Sequence, residues 1–139
     1  MPTAHAPRAV LAAVSLGCLG LVASACGGGS GGGGGAAKSV TITAPSGGGT
    51  PTLTVEAHDV FLRPNQVKAP AGKLKIDYVE DGSQQHTLVI DGVKGFKLEV
   101  GPGTKNASGT VDLQPGEYTY YCTVPGHRAQ GMQGTITVS

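Results

Sequence analysis

The sequence predicts an all-β sandwich in a single domain. Beyond Thr52, apolar and polar residues alternate at period two, turn-forming residues interrupt the alternation at short intervals, and no stretch of helical periodicity is long enough to compete. Strands with one face in a core read this way, and several short ones separated by breakers pack as two sheets.

Taken in order, Ser39-Val40-Thr41-Ile42-Thr43 has strand composition but stands between flexible stretches, and its sequence leaves it undecided. Leu53 and Val55 open the regular alternation. Leu74, Ile76 and Tyr78 continue it against Lys73, Lys75 and Asp77 on the other face, and Phe96, Leu98 and Val100 repeat it. Val111 with Leu113, Tyr118 with Tyr120, and Ile136 with Val138 complete the set. Breakers fall between: Arg63-Pro64-Asn65, Pro70-Ala71-Gly72, Asp81-Gly82-Ser83, Asp91-Gly92, Gly101-Pro102-Gly103 and Gln114-Pro115-Gly116. Asn106-Ala107-Ser108 matches a glycosylation acceptor triplet but reads as loop. A domain of this size, residues 52–139, has a marginal core, and a bound metal would reinforce it.

The chain is 139 residues long with 24 glycines, so part of it is not domain. Residues 1–25 read as a secretory signal: one arginine, Arg8, then the apolar runs Ala9 to Leu16 and Leu19 to Ala23. That apolar region is too short and wrongly flanked for a spanning helix. Ala23-Ser24-Ala25-Cys26 resembles a bacterial lipobox, which makes Cys26 the expected lipidation site; an ordinary signal cleaved after Ala25 is the alternative. Residues 26–51 read as a flexible, disordered tether, since Gly27 to Gly35 is glycine apart from Ser30 and Ser46 to Pro51 is a second loose stretch. Localisation follows as extracytoplasmic, at the outer face of a bacterial cell membrane or in the periplasm, held by lipid.

All nine acidic residues and every basic residue except Arg8 lie beyond Cys26, leaving the exported part with a charge near zero. A nucleic-acid surface needs a clustered positive excess, so nucleic acid is not an expected partner. Of the three cysteines, Cys18 leaves with the signal and Cys26 takes the lipid, so Cys122 is the one thiol expected in the folded part. An exported protein pairs its cysteines or uses them. With no internal partner, Cys122 is best explained as a metal ligand.

The last stretch carries the chemistry. Cys122, His127 and Met132 recur at five-residue steps in Cys122-Thr123-Val124-Pro125-Gly126-His127-Arg128-Ala129-Gln130-Gly131-Met132, and His86 in Gln85-His86-Thr87-Leu88-Val89 supplies a second imidazole. Two imidazoles and a thiolate with a distant thioether suit copper that changes oxidation state. Pro125-Gly126 favours a turn that folds His127 and Met132 back toward Cys122. His58, in Glu56-Ala57-His58-Asp59, has no second donor at ligand spacing and reads as exposed.

Gly116-Glu117-Tyr118-Thr119-Tyr120-Tyr121-Cys122, then His127, Met132 and Gly134-Thr135-Ile136-Thr137-Val138, resembles the C-terminal signature of small cupredoxins, with plastocyanin, auracyanin and sulfocyanin-like branches nearest. Asp59, Phe61, Pro64, Val67, Ala71 and Gly72 are similar to that family's opening strands, and Gln85-His86-Thr87-Leu88-Val89 to its first-ligand strand. The resemblance implies a Greek-key sandwich with one copper ion cycling between Cu(I) and Cu(II). It implies His86 and His127 as imidazole ligands, Cys122 as the thiolate and Met132 as the weak axial sulfur. Thr87 departs from the Asn that plastocyanins commonly carry after the first histidine, which leaves open whether the family's side-chain tie between the ligand loops is made; its backbone N–H can still donate toward the cysteine sulfur.

The function expected is one-electron transfer between transient redox protein partners by a monomer tethered to a membrane, and not enzymatic catalysis. Copper storage or delivery is the alternative. Copper oxidases and nitrite reductases of related fold need further histidine clusters, and this chain has four histidines in all, of which His5 is lost with the signal. No Cys-x-x-Cys-His for haem and no serine, histidine and acid set is present.

Overall fold

The computed structural model of the protein describes residues 38–139; the expected signal, the expected lipidation residue Cys26 and the glycine run 27–35 lie outside the described residues. Ten strands follow in order: β1 Ser39–Thr41, β2 Thr52–His58, β3 Phe61–Arg63, β4 Gln66–Ala69, β5 Gly72–Glu80, β6 His86–Ile90, β7 Lys97–Val100, β8 Asn106–Leu113, β9 Gly116–Tyr121 and β10 Gln133–Val138. One sheet has the order β1-β4-β10-β9-β6-β7 and the other β3-β2-β5-β8. Both are mixed: β4 runs parallel to β1 and β10, and β2 parallel to β5, while the remaining pairs are antiparallel. Among the described residues no helix is long and apolar enough to cross a membrane.

The alternation read from the sequence is the alternation of burial. Leu53, Val55 and Ala57 from β2, Leu74, Ile76 and Tyr78 from β5, Leu88 and Ile90 from β6, and Ile136 and Val138 from β10 form one continuous core. Each faces inward because successive residues of a strand point to opposite sides of the sheet. The breakers fall at strand ends as expected, and the Arg63-Pro64 peptide bond within one of them is cis.

Three local expectations change. Ser39–Thr41, left undecided, forms β1 and pairs with Gln66–Lys68 of β4, while Val40 and Ile42 pack against the core. Its partner lies 27 residues on, where the Asn65 side chain accepts the Lys38 N–H at 3.0 Å, so local composition carried no sign of the pairing. The ordered sandwich therefore begins upstream of Thr52. Asn106-Ala107-Ser108, read as loop, opens β8 and pairs with Tyr78 and its neighbours in β5.

Tyr120 of β9 is buried with its ring against Gly134 of β10, and its hydroxyl donates to the Pro64 carbonyl. Gly134, opposite Tyr120 in β10, makes room for that ring: a Cβ there would overlap the Tyr120 ring and hydroxyl and stand 2.8 Å from the Asn65 carbonyl. Gly134→Ala is expected to destabilise the apoprotein by about 1–3 kcal/mol, the range for overpacking a filled core. Urea unfolding followed by circular dichroism measures it.

Candidate metal centre

The site forms where two antiparallel neighbours of one sheet diverge. In β6 and β9 the backbone pairing runs through Ile90 opposite Tyr120 and Val89 opposite Tyr121. Continued, that register sets Thr87 against Thr123, but there the ladder passes to side chains. The Thr87 N–H points at Cys122 Sγ at 3.4 Å, and the Thr87 hydroxyl oxygen accepts the Thr123 N–H at 2.7 Å. That oxygen also lies 2.8 Å from the Thr123 hydroxyl and 3.7 Å from Cys122 Sγ. From the core, Tyr78 donates its hydroxyl to the Thr87 carbonyl at 3.2 Å, and burial pushes its phenol well above the usual range, keeping it a neutral donor.

Cys122, free and buried, follows the last residue of β9. The chain then turns through Val124-Pro125-Gly126-His127. Proline supplies a fixed φ, Gly126 takes φ 85°, and the His127 N–H returns to the Val124 carbonyl at 3.1 Å, the pattern of a type II turn. A single 3₁₀ turn, Arg128–Gln130, ends at Gly131 in the left-handed region with φ 102°. Two backbone bonds close the loop: Met132 N–H to the His127 carbonyl at 3.0 Å and Cys122 N–H to the Met132 carbonyl at 3.1 Å. The five-residue steps of the sequence thus become one closed loop holding three donors.

His86 enters from the first position of β6. The loop ahead of it is clamped from two sides, since Asp59 accepts the Ser83 N–H at 3.1 Å and Glu80 accepts the Gly82 N–H at 2.9 Å. The bond from the Ser83 backbone, above all, holds the Asp59 carboxyl below its ordinary value. Asp59 is delivered by the tight β2–β3 turn, in which Val60 takes φ 63°, a strained conformation for a β-branched residue.

Nδ1 of His127 lies 3.2 Å from Nδ1 of His86 and 3.7 Å from Cys122 Sγ. Ligand atoms of all three residues lie within 4.8 Å of one another. A metal about 2.0 Å from two imidazole nitrogens and about 2.3 Å from a thiolate, in one trigonal plane, separates the nitrogens by about 3.5 Å and each from sulfur by about 3.7 Å. The 3.2 Å between the nitrogens and the 3.7 Å from His127 Nδ1 to sulfur fit those separations. Exposure is 0% for His86, 1% for Cys122, 0% for Met132 and 7% for His127, so His127 alone keeps a solvent-facing edge. Around it Pro125, Ala129 and Gly131 are exposed, and the Arg128 guanidinium stacks on the Tyr121 ring at 3.7 Å while reaching Asp91 at 3.3 Å.

All four residues named from the sequence are therefore buried at one end of the sandwich, and the histidines and cysteine converge. His58, read as exposed, is instead largely covered: it stacks on Phe61 with centroids 4.5 Å apart and contacts Asp81 at 3.2 Å. Alternation along β2 could not show this, because the covering residues come from the β2–β3 hairpin and the end of β5. The tie between ligand loops, which the sequence leaves open, is made by the Thr87 hydroxyl to Thr123.

A buried His-Cys-His set at the end of a β-sandwich defines a metalloprotein with a mononuclear site for a soft or borderline metal. The chain belongs to the plastocyanin/azurin family of copper binding proteins, whose description it matches over residues 36–139. A curated plastocyanin from Synechococcus sp. (strain JA-2-3B'a(2-13)) is 36% identical over 75 residues, 46% of this chain and 54% of that protein. The chain thus spans about half the length of the curated relative it matches. Dithionite-reduced auracyanin from Roseiflexus castenholzii matches with a TM-score of 0.57 at 21% identity, over 63% of this chain and 96% of that one. Auracyanin A, a blue copper protein from Chloroflexus aurantiacus, matches with a TM-score of 0.55 at 19% identity, over 66% and 100%. These two likenesses are of fold. The family and the donor geometry together make one copper ion the fitting cofactor of His86, Cys122 and His127.

Two expectations follow. Thr87→Val leaves the N–H to Cys122 intact but strips the Thr123 N–H of its acceptor, which should destabilise the apoprotein by about 1–3 kcal/mol in urea. Burial holds the His86 imidazole below its ordinary value; Glu80 opposes this and His127 reinforces it. A folded-state value below the unfolded one makes the His86 contribution to apoprotein stability complete above about pH 6.5 and lost progressively as pH falls. Urea midpoints of the apoprotein should fall between pH 7.5 and pH 5.5, both values being about one unit from that of free imidazole.

Proposed function

We propose that this protein is a one-electron carrier built on a single type 1 (blue) copper centre, with Met132 as the axial sulfur beside His86, Cys122 and His127. The observation that carries the reading is the convergence of Cys122 Sγ and the two Nδ1 atoms within 4.8 Å of one another in a buried pocket. When bound, copper supplies the Cu(II)/Cu(I) couple. The chain's own residues hold the donors still: Thr87 bonds the thiol, the closed Cys122–Met132 loop fixes His127, and Tyr78 fixes Thr87. Such anchoring lets one donor set serve both oxidation states with little rearrangement. The exposed edge of His127, among Pro125, Ala129 and Gly131, is the surface through which a partner would approach.

Lipid attachment at Cys26 would place this end near membrane redox proteins on the extracytoplasmic side, the stretch between Cys26 and Lys38 giving a reach of roughly 17–20 Å if it behaves as a flexible glycine-rich coil. Docking is transient, the protein acts as a monomer and it performs no catalysis of its own. The buried donor set argues against copper storage or delivery, which favours exchangeable ligands.

Adding Cu(II) to the purified protein should produce an intense visible copper–thiolate charge-transfer band that disappears in Cys122→Ala. Reduction and reoxidation should restore the band without loss of metal to a Cu(I) chelator. No band, or a band that survives in Cys122→Ala, sinks the carrier reading; ready surrender of Cu(I) favours delivery.

A further inference from the structure

Glu80 is a buried charged side chain to which copper ligation assigns no role. It takes the inward register of β5, two residues beyond Tyr78, on a face otherwise filled by Leu74, Ile76 and Tyr78. Its side chain has no solvent exposure. Oε1 accepts the Gly82 N–H at 2.9 Å. Oε2 has no hydrogen-bond partner and lies 4.0 Å from His86 Nε2, which is itself buried and unpartnered. A carboxylate is strongly disfavoured in an interior unless a polar group there uses it.

The ring chemistry of His86 supplies that use. Nδ1 faces the other donors, 3.2 Å from Nδ1 of His127. A neutral imidazole that gives its Nδ1 lone pair to a metal carries its proton on Nε2. Glu80 Oε2 lies 4.0 Å from that nitrogen, about 1 Å beyond normal hydrogen-bond length. The carboxylate is held in place by its loop: a Cβ on Gly82 would stand 2.7 Å from Asp59 Oδ1 and 3.0 Å from Glu80 Oε1, so the backbone is packed against both acids.

We propose that Glu80 is the positioning residue of the first histidine ligand: its Oε2 accepts the Nε2–H of metal-bound His86, fixing the tautomer and plane of the ring and setting a negative oxygen one imidazole away from the metal. Partners of this kind raise the basicity of a ligating histidine. The added negative charge favours Cu(II) over Cu(I) and lowers the potential of the centre. The inference rests on the copper reading above and names a residue of this chain that tunes it.

Glu80→Gln keeps the side-chain shape and an oxygen for the Gly82 N–H while removing the charge. In the copper-loaded protein it is expected to shift the couple at least about tenfold toward Cu(I), a rise of about 59 mV for one electron, with the charge-transfer band retained. An intact band with an unchanged or lowered potential overturns the proposal. Should the variant not fold, imidazole ¹H–¹⁵N spectra of the wild-type protein loaded with Cu(I) decide it. They are expected to show a proton on His86 Nε2 displaced downfield of the His127 Nε2 proton. A proton on Nδ1, or no downfield displacement, overturns the assignment. Absence of the band in the wild-type protein counts against the carrier reading alone, and the same spectra recorded with Zn(II) still decide Glu80.

Discussion

The side-chain splice between Thr87, Cys122 and Thr123 is the contact on which the centre depends. Two neighbouring strands of a sheet normally pair backbone to backbone, which leaves no opening between them. In this protein the pairing stops at Val89 and Tyr121, and the next donors are satisfied by a thiol and a hydroxyl. The strands can part without leaving the Thr87 and Thr123 amides unsatisfied, which would otherwise be unfavourable in a buried place. The gap so opened admits two imidazoles beside the sulfur. A backbone N–H directed at the sulfur also tunes a thiolate-bound metal.

Packing and chemistry are continuous along β5. Leu74 and Ile76 fill the core, Tyr78 sends its hydroxyl to the carbonyl of Thr87, and Glu80 reaches the rear of His86. One strand face thus grades from oil to polar support over a few residues. The loop that follows is gripped by Asp59 and Glu80 before it delivers His86. Rigidity at the donors comes from these bonds, whereas His127 keeps contact with solvent because it sits on a loop outside the sheet. The site is thus fixed behind and reaches solvent in front through the edge of His127.

The sandwich and most of the donor set were legible in the sequence because both rest on short-range regularities. Period-two alternation placed Leu53, Leu74, Ile136 and their companions inward, and the Pro125-Gly126 turn explained why residues five apart could meet. Glu80 shows what short-range reading can miss. It continues the inward register of Leu74, Ile76 and Tyr78, a signal present in the sequence, but a lone acidic residue beside a breaker reads as the end of a strand. The pairing of Ser39–Thr41 and the covering of His58 have no local signal, because their partners, Gln66–Lys68 in one case and Phe61 with Asp81 in the other, are brought to them by the fold.

By itself, the sequence determined the strand faces, the turn positions and the identity of the copper-seeking side chains, all of which follow from the local geometry of strands and turns and from donor chemistry. Tertiary structure alone decided that Thr87 makes the tie between the ligand loops, that β1 joins the sheet, and that a carboxylate stands behind His86. Those outcomes depend on which strands lie side by side and in what register. Register is set by the packing of the whole core, so no local pattern of residues contains it.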